Sequence, residues 1–257
     1  MLNADARARY LRHILLKEIG AQGQQKLLAA RVLMVGAGGI GSAAIQYLAG
    51  AGVGIIGIAD DDAVSLSNLQ RQTIYRDEDI GALKAERAAS FARALNPDIR
   101  VLAIAERLDA ARADALFADF DLIVEGVDTI AARQMLNAAA INARRPFVSA
   151  ALGQFEAQVS LFKPWAGPDL PCYRCLVSET PPREAVLTCA EEGVIGPLAG
   201  IAGAIAALEA IKEITGAGTS LAGRLLIFDG LAAAARAVSL PRDPECSACR
   251  HLDRSIP

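Results

Sequence analysis

The sequence predicts an α/β fold: a Rossmann-like, doubly wound, mostly parallel sheet with an elaborated C-terminal half. Three observations carry this. A short apolar run, RVLMVG at 31–36, feeds a glycine-rich turn and then a helical stretch. A second apolar run, GIIGIAD at 54–60, ends in an acid. Beyond it, strand and helix patterns alternate up to residue 151.

Each element has its own signal. The first thirty residues place Leu11, Ile14, Leu15 and Ile19 at helical spacing. Strand one is followed by a helix through Ala43 to Ala51, and strand two completes a βαβ unit. A helix from about Ile80 to Leu95 stops at Asn96-Pro97. IRVLAIA reads as strand three and DLIVEG as strand four. Ala131 to Ala143 reads as a helix, and PFVSAA as strand five. AQVSLFK alternates in strand fashion, and GRLLIFD reads as a further strand. With no repeat and no low-complexity linker, residues 1–257 read as one domain. Its parts are a helical segment (1–30), a nucleotide-binding core (31–150) and a C-terminal part (151–257).

Composition narrows the function classes. At 53% hydrophobic residues the chain can bury a substantial core. Its net charge of -3 offers no basic patch for nucleic acid and no acidic tail for a basic partner. The N-terminus lacks a charged-then-apolar signal, which points to a cytoplasmic protein. Gly193 to Leu208 is uncharged and apolar, but shorter than the ~20 residues a membrane span needs. Glu209, Lys212 and Glu213 follow at once. A buried helix is expected there, packing closely through Gly196 and Gly200, for example at a subunit contact.

Two C-x-x-C pairs, Cys172/Cys175 and Cys246/Cys249, supply four soft thiolates. This is the donor set of a closed, structural zinc site that ties the tail to mid-chain. Paired spacing without a signal peptide favours metal over disulfides. Cys189 is left over.

Gly36, Gly38, Gly39 and Gly41 give G-x-G-G-x-G at a strand-to-helix turn. Such a turn brings backbone N–H groups and the positive end of a helix dipole up to a phosphate. Asp60 stands where an acid grips a ribose hydroxyl. By itself this pattern reads as NAD binding. No G-x-x-x-x-G-K-[ST] is present, so a P-loop NTPase is disfavoured. Lys84 falls in a helix N-terminal turn, where a cation is unfavourable unless an anion lies nearby. Asp128 and Thr129 compete to cap the helix that follows them. Asp61 and Asp62 read as loop acids, either able to help hold a metal. His13 reads as a helix surface residue.

The string after Asp60, DDAVSLSNLQRQ, has no evident use in a dehydrogenase. Together with RYLR at 9–12, Lys84, Asp128 and PCYRCL at 171–176, it resembles the ubiquitin-activating-enzyme-like (HesA/MoeB/ThiF) adenylyltransferases. Within them the chain looks like bacterial enzymes that activate small sulfur carriers for molybdopterin or thiamine synthesis. The resemblance runs from Arg9 to Cys249. It implies ATP-dependent adenylation of the C-terminal glycine carboxylate of a ubiquitin-like carrier ending in Gly-Gly, with Mg2+ and Zn2+ bound. By resemblance, Arg71 and Lys84 contact the triphosphate, and Arg12 reaches it from the other subunit of a homodimer. Asn68 positions phosphate or leaving group, Asp128 holds Mg2+, and Asp60 binds the ribose, with Asp62 in the same nucleotide site. The C-terminal part then binds both zinc and carrier.

The chain departs from the family pattern at His13 (usually Gln), at Glu125-Gly126 (often Asp-Cys) and at Thr129 (usually Asn). The surroundings of Cys189 favour the molybdopterin type over the thiamine type; a secondary-metabolite paralogue is a further reading. Cys189 is either the nucleophile that takes the activated carrier or a packing thiol, and a separate sulfur donor is implied. The rival functions are an NAD-dependent oxidoreductase and a non-catalytic carrier-binding homologue.

Overall fold

The computed structural model describes residues 2–178 and 193–254. The predicted alternation is present. In order the elements are α1 (Ala4–Arg9), α2 (Leu11–Ile14), α3 (Gly20–Ala29), β1 (Arg31–Val35), α4 (Gly39–Ala51), β2 (Ile55–Ala59) and α5 (Lys84–Leu95). Then come β3 (Arg100–Ile104), α6 (Ala110–Phe117), β4 (Leu122–Glu125), α7 (Ile130–Ala143), β5 (Phe147–Leu152) and β6 (Glu156–Phe162). The chain continues through α8 (Tyr173–Leu176), α9 (Gly196–Thr215), β7 (Arg224–Asp229) and β8 (Ala234–Ser239).

One eight-stranded sheet runs in the order β3-β2-β1-β4-β5-β6-β7-β8. Strands β3 to β5 are parallel, and from β5 onward each pairing is antiparallel. Because β1 is flanked by β2 on one side and β4 on the other, the strand order reverses at β1. Open α/β sheets bind ligands outside the carboxyl ends of the strands at such a reversal. The central strands are buried on both faces, which is why they read as unbroken apolar runs.

Small residues set the helix packing beside the glycine loop. A Cβ added at Gly203 of α9 would meet the Ile40 carbonyl oxygen at 2.2 Å, and one at Gly196 would meet the Gln70 oxygen at 2.4 Å. Helix α9 therefore lies directly on α4. Gly200, by contrast, faces open space, so the expected Gly196/Gly200 pairing is replaced by Gly196 and Gly203. Among the described residues no helix is long and apolar enough to cross a membrane.

Local features move some boundaries. The helical N-terminal segment is divided into three short helices. Tyr10 breaks it by turning inward, and its hydroxyl accepts from Asn96 at 2.9 Å. Helix α5 begins at Lys84, four residues later than expected, because Gly81 at φ +88° cannot continue a helix from the 3-10 turn at Asp77–Asp79. His13 is half-buried, not a surface residue, and its Nδ1 lies 3.0 Å from Gln24 Oε1. Helix α6 and edge strand β8 carry no signal that sequence reading detected.

Candidate nucleotide site and cysteine cluster

The glycine turn is built by close approach. Gly36 sits at φ +89°, the left-handed region that glycine adopts without strain. A Cβ at Gly41 would fall 2.1 Å from the Gly36 oxygen, so only glycine lets α4 leave β1 so tightly. Gly38 is the N-cap and supplies no capping side chain. The first-turn N–H groups of a helix have no intrahelical partners and are available to an anion.

Asp60 closes this turn from the next strand. Its Oδ2 accepts from the Ala37 N–H at 2.7 Å and its Oδ1 from the Asp62 N–H at 2.9 Å. Burial pushes its carboxyl up; the two backbone N–H groups act in the opposite direction. Tyr75, absent from the sequence expectations, ties the same turn to α5. Its hydroxyl donates to the Ala37 oxygen at 2.8 Å.

The basic residues arrive from the following segment. Lys84 is the first residue of α5, and its side chain is only 7% exposed. Its Nζ lies 2.8 Å from Asp62 Oδ2, whose side chain is 68% exposed. An ammonium in the first turn of a helix is electrostatically misplaced unless an anion faces it, and here the carboxylate that pairs with it is largely exposed, so a ligand anion can take its place. Arg71 is half-buried, its guanidinium donating to the Ser67 oxygen at 3.0 Å. Asn68 lies at the end of a 3-10 turn beside it.

Asp128 follows β4. Thr129, not Asp128, caps α7, accepting from the Ala132 N–H at 3.3 Å. The Asp128 carboxylate is exposed, and among the described residues no donor binds it. That corrects the capping alternative and leaves an oxygen donor of the kind Mg2+ takes.

Most of these groups line one cavity of about 1010 Å3, at the carboxyl ends of the strands. Gly36, Gly38, Gly39, Asp60, Asp62, Asn68, Arg71, Lys84 and Asp128 form one end of it. Gly41 lies behind the turn and is not in the wall. The other end extends over β5 to β7, past Ser149, Gly153, Gln158 and Ser160. The volume is at the top of the ~300–1,000 Å3 typical of a small-molecule pocket. Arg12 stands elsewhere, exposed on α2 beside exposed Leu11, Leu15 and Leu16.

The four paired cysteines meet away from this cavity, against Ile141 and Trp165. Their sulfurs all lie within 4.8 Å of one another, and the closest pairs are 3.6 to 3.9 Å apart. Zn–S bonds of about 2.3 Å in a tetrahedron require sulfurs about 3.8 Å apart, whereas a disulfide requires about 2.0 Å. The donor set therefore fits zinc. Hydrogen bonding with Cys175, then burial, pushes Cys172 up to about 12. A dication removes that cost of crowding thiolates together. Cys189 lies outside the described residues.

Fold and site together define a Rossmann-like nucleotide-binding protein with a tetrathiol cluster in its C-terminal half. Residues 10–248 match the ThiF family, and the chain belongs to it. It is 42% identical over 248 residues to the SAMP-activating enzyme E1 of Haloferax volcanii, covering 96% of this chain and 90% of that one. It is 42% identical to the molybdopterin-synthase adenylyltransferase of Escherichia coli, covering 94% and 95%. It is also 44% identical to the adenylyltransferase and sulfurtransferase MOCS3 of Anopheles gambiae, but spans only 56% of that relative's length. Among solved structures it superposes on Escherichia coli MccB in complex with MccA-N7isoASN, with a TM-score of 0.81 at 23% identity. That match covers 94% of this chain and 74% of MccB and supports the fold alone.

Proposed function

We propose that the chain is an ATP-dependent adenylyltransferase that activates the C-terminal glycine carboxylate of a ubiquitin-like sulfur carrier ending in Gly-Gly. The observation that carries this is what shares one cavity. The phosphate turn and its cations line it together with a corridor over β5 to β7, where polar Ser149, Gln158 and Ser160 stand beside apolar Leu152 and Phe162. The relatives are named as adenylyltransferases of sulfur carriers and molybdopterin synthase.

The chemistry is displacement at the α-phosphorus. A carboxylate oxygen bonds to it, and the bond to pyrophosphate breaks. An anion must approach a polyanion, so cations must already be in place and the reactants aligned. Lys84 and Arg71 neutralise the phosphates, and Asp62 releases Lys84 as they arrive. Asn68 holds the leaving group, and Asp60 takes the ribose. Asp128, with the neighbouring acids, would hold Mg2+, which supplies charge neutralisation on the phosphate oxygens. Arg12 works from the partner of a homodimer; its distance from its own cavity and its exposed apolar surroundings support this. Zinc in the cysteine cluster is structural. The molybdopterin-type reading is favoured, with a separate sulfur donor, in the cytoplasm.

Carrier-dependent exchange of labelled pyrophosphate into ATP tests the proposal. Exchange is expected with a Gly-Gly carrier and not with one lacking the terminal glycine. A thermal shift with NAD but none with Mg-ATP would support the oxidoreductase instead.

A further inference from the structure

The backbone that carries Asp128 has left the sheet. Strand β4 ends at Glu125, and the last ladder-like bond is from the Gly126 N–H to the Val35 oxygen at 3.0 Å. Beyond it β1 has turned away into the glycine loop, so Val127 has no strand partner. Two side chains take the partner's place. The Val127 N–H donates to Glu125 Oε2 at 2.9 Å, and the Val127 oxygen accepts from Arg133 Nη2 at 2.6 Å.

These side chains hold each other. The Glu125 side chain is 0% exposed and that of Arg133 12%, with Arg133 Nε 3.4 Å from Glu125 Oε1. The same oxygen accepts from the Ser149 hydroxyl on β5. Arg133 also donates to the Ala150 oxygen at 3.2 Å. One buried ion pair thus joins the ends of β4 and β5 and the first turns of α7. Burial pushes the Glu125 carboxyl up, with Arg133 acting first against it. A buried pair is a poor way to gain stability; its best-attested use is to fix a geometry.

We propose that Glu125 and Arg133 are positioning residues that clamp both polar backbone groups of Val127 and so fix Asp128 over the phosphate turn. This rests on the reading of Asp128 as the magnesium acid. Val127 is fixed on one side, and the Thr129 cap fixes the other, so the single residue between them has little room to shift. Glu125 lies outside the cavity wall, and Arg133, though it lines the cavity, is engaged by the Val127 and Ala150 oxygens and by Glu125; both act as the outer partners of a metal carboxylate act.

The test uses Glu125→Gln, Arg133→Lys and the milder Ser149→Ala in the full chain. Gln keeps the size but loses the charge, and Lys keeps the charge but loses the planar guanidinium, whose Nη2 serves two carbonyls while its Nε faces Glu125. Two measurements are made: calorimetric ATP binding with and without Mg2+, and amide hydrogen exchange of Val127 in the ligand-free protein. The expected result is a loss of about tenfold in the Mg2+-dependent gain in ATP affinity. In Glu125→Gln, whose side chain lies outside the cavity wall, ATP binding without Mg2+ stays unchanged, and in every variant the Val127 amide exchanges faster. The double variant should be no worse than the worse single one, because the pair acts as a unit. Folded variants that keep both the wild-type Mg2+ gain and the wild-type Val127 exchange overturn the clamp. A wild-type protein whose ATP binding ignores Mg2+ overturns the role of Asp128 itself. Should both ion-pair variants fail to fold, Ser149→Ala decides between the same outcomes.

Discussion

The two clusters of functional side chains are built on opposite principles. At the cysteine cluster four donors face one another, are mostly buried, and leave no open position. At the phosphate turn the groups face a cavity, and their charges are incompletely matched. Lys84 is buried against an exposed Asp62, and Asp128 projects without a donor among the described residues. A closed donor set suits a permanent occupant, and open, half-matched charges suit one that comes and goes. The tetrathiol set pins an antiparallel half whose edge strand β8 is exposed throughout, whereas the nucleotide end rests on central strands buried on both faces. In the proposed function the cluster serves stability, and the turn serves chemistry.

That contrast can be broken by experiment. The largest effect is expected from removing zinc. A metal present at about 1,000 times its Kd stabilises by about 4.1 kcal/mol. Chelation, or Cys246→Ser, should lower the unfolding midpoint accordingly, while exchange per folded molecule persists at low temperature. Activity lost ahead of structure would erase the distinction between the clusters. Next is Asp128→Ala, expected to cut pyrophosphate exchange by about 10²- to 10³-fold, the scale of losing one charge-stabilising group. Its melting temperature should hardly change, because exposed groups without partners contribute little to stability.

Smaller effects sharpen the account. Arg12→Ala alone should be impaired, and mixing it with Asp128→Ala should restore up to about a quarter of the sites if a symmetric dimer shares residues between protomers. No recovery in re-assembled mixtures would place Arg12 outside the reaction. The smallest effect belongs to Thr129→Ala. Losing an N-cap costs about 1 kcal/mol, visible in denaturant melts, with exchange retained.

How much of this was legible in the sequence follows from the physics of each part. The glycine turn and Asp60 could be read because close backbone approach admits only glycine at fixed spacing. The tetrathiol set could be read because ligand pairs on one short turn must lie three apart. Helix α6 escaped notice, although Asp109 caps it through the Arg112 N–H at 2.8 Å. Strand β8, Ala-Ala-Arg-Ala-Val-Ser, is exposed on both faces and so shows no alternation. His13 could not be placed, because its partner Gln24 lies on another helix. Of the Glu125–Ser149–Arg133 cluster, only Glu125 stood out, as a departure from the family pattern. Its members come from β4, β5 and α7, and only the closed sheet brings them together.

The central claim is that the phosphate turn and the corridor serve one reaction. It is tested most directly by pyrophosphate exchange with Mg-ATP and a purified carrier ending in Gly-Gly, using wild-type protein and Asp128→Ala side by side. The account predicts exchange that requires the carrier's terminal glycine and collapses in Asp128→Ala. Wild-type protein that binds both Mg-ATP and the carrier yet exchanges no pyrophosphate would contradict it, and would leave a carrier-binding protein without catalysis.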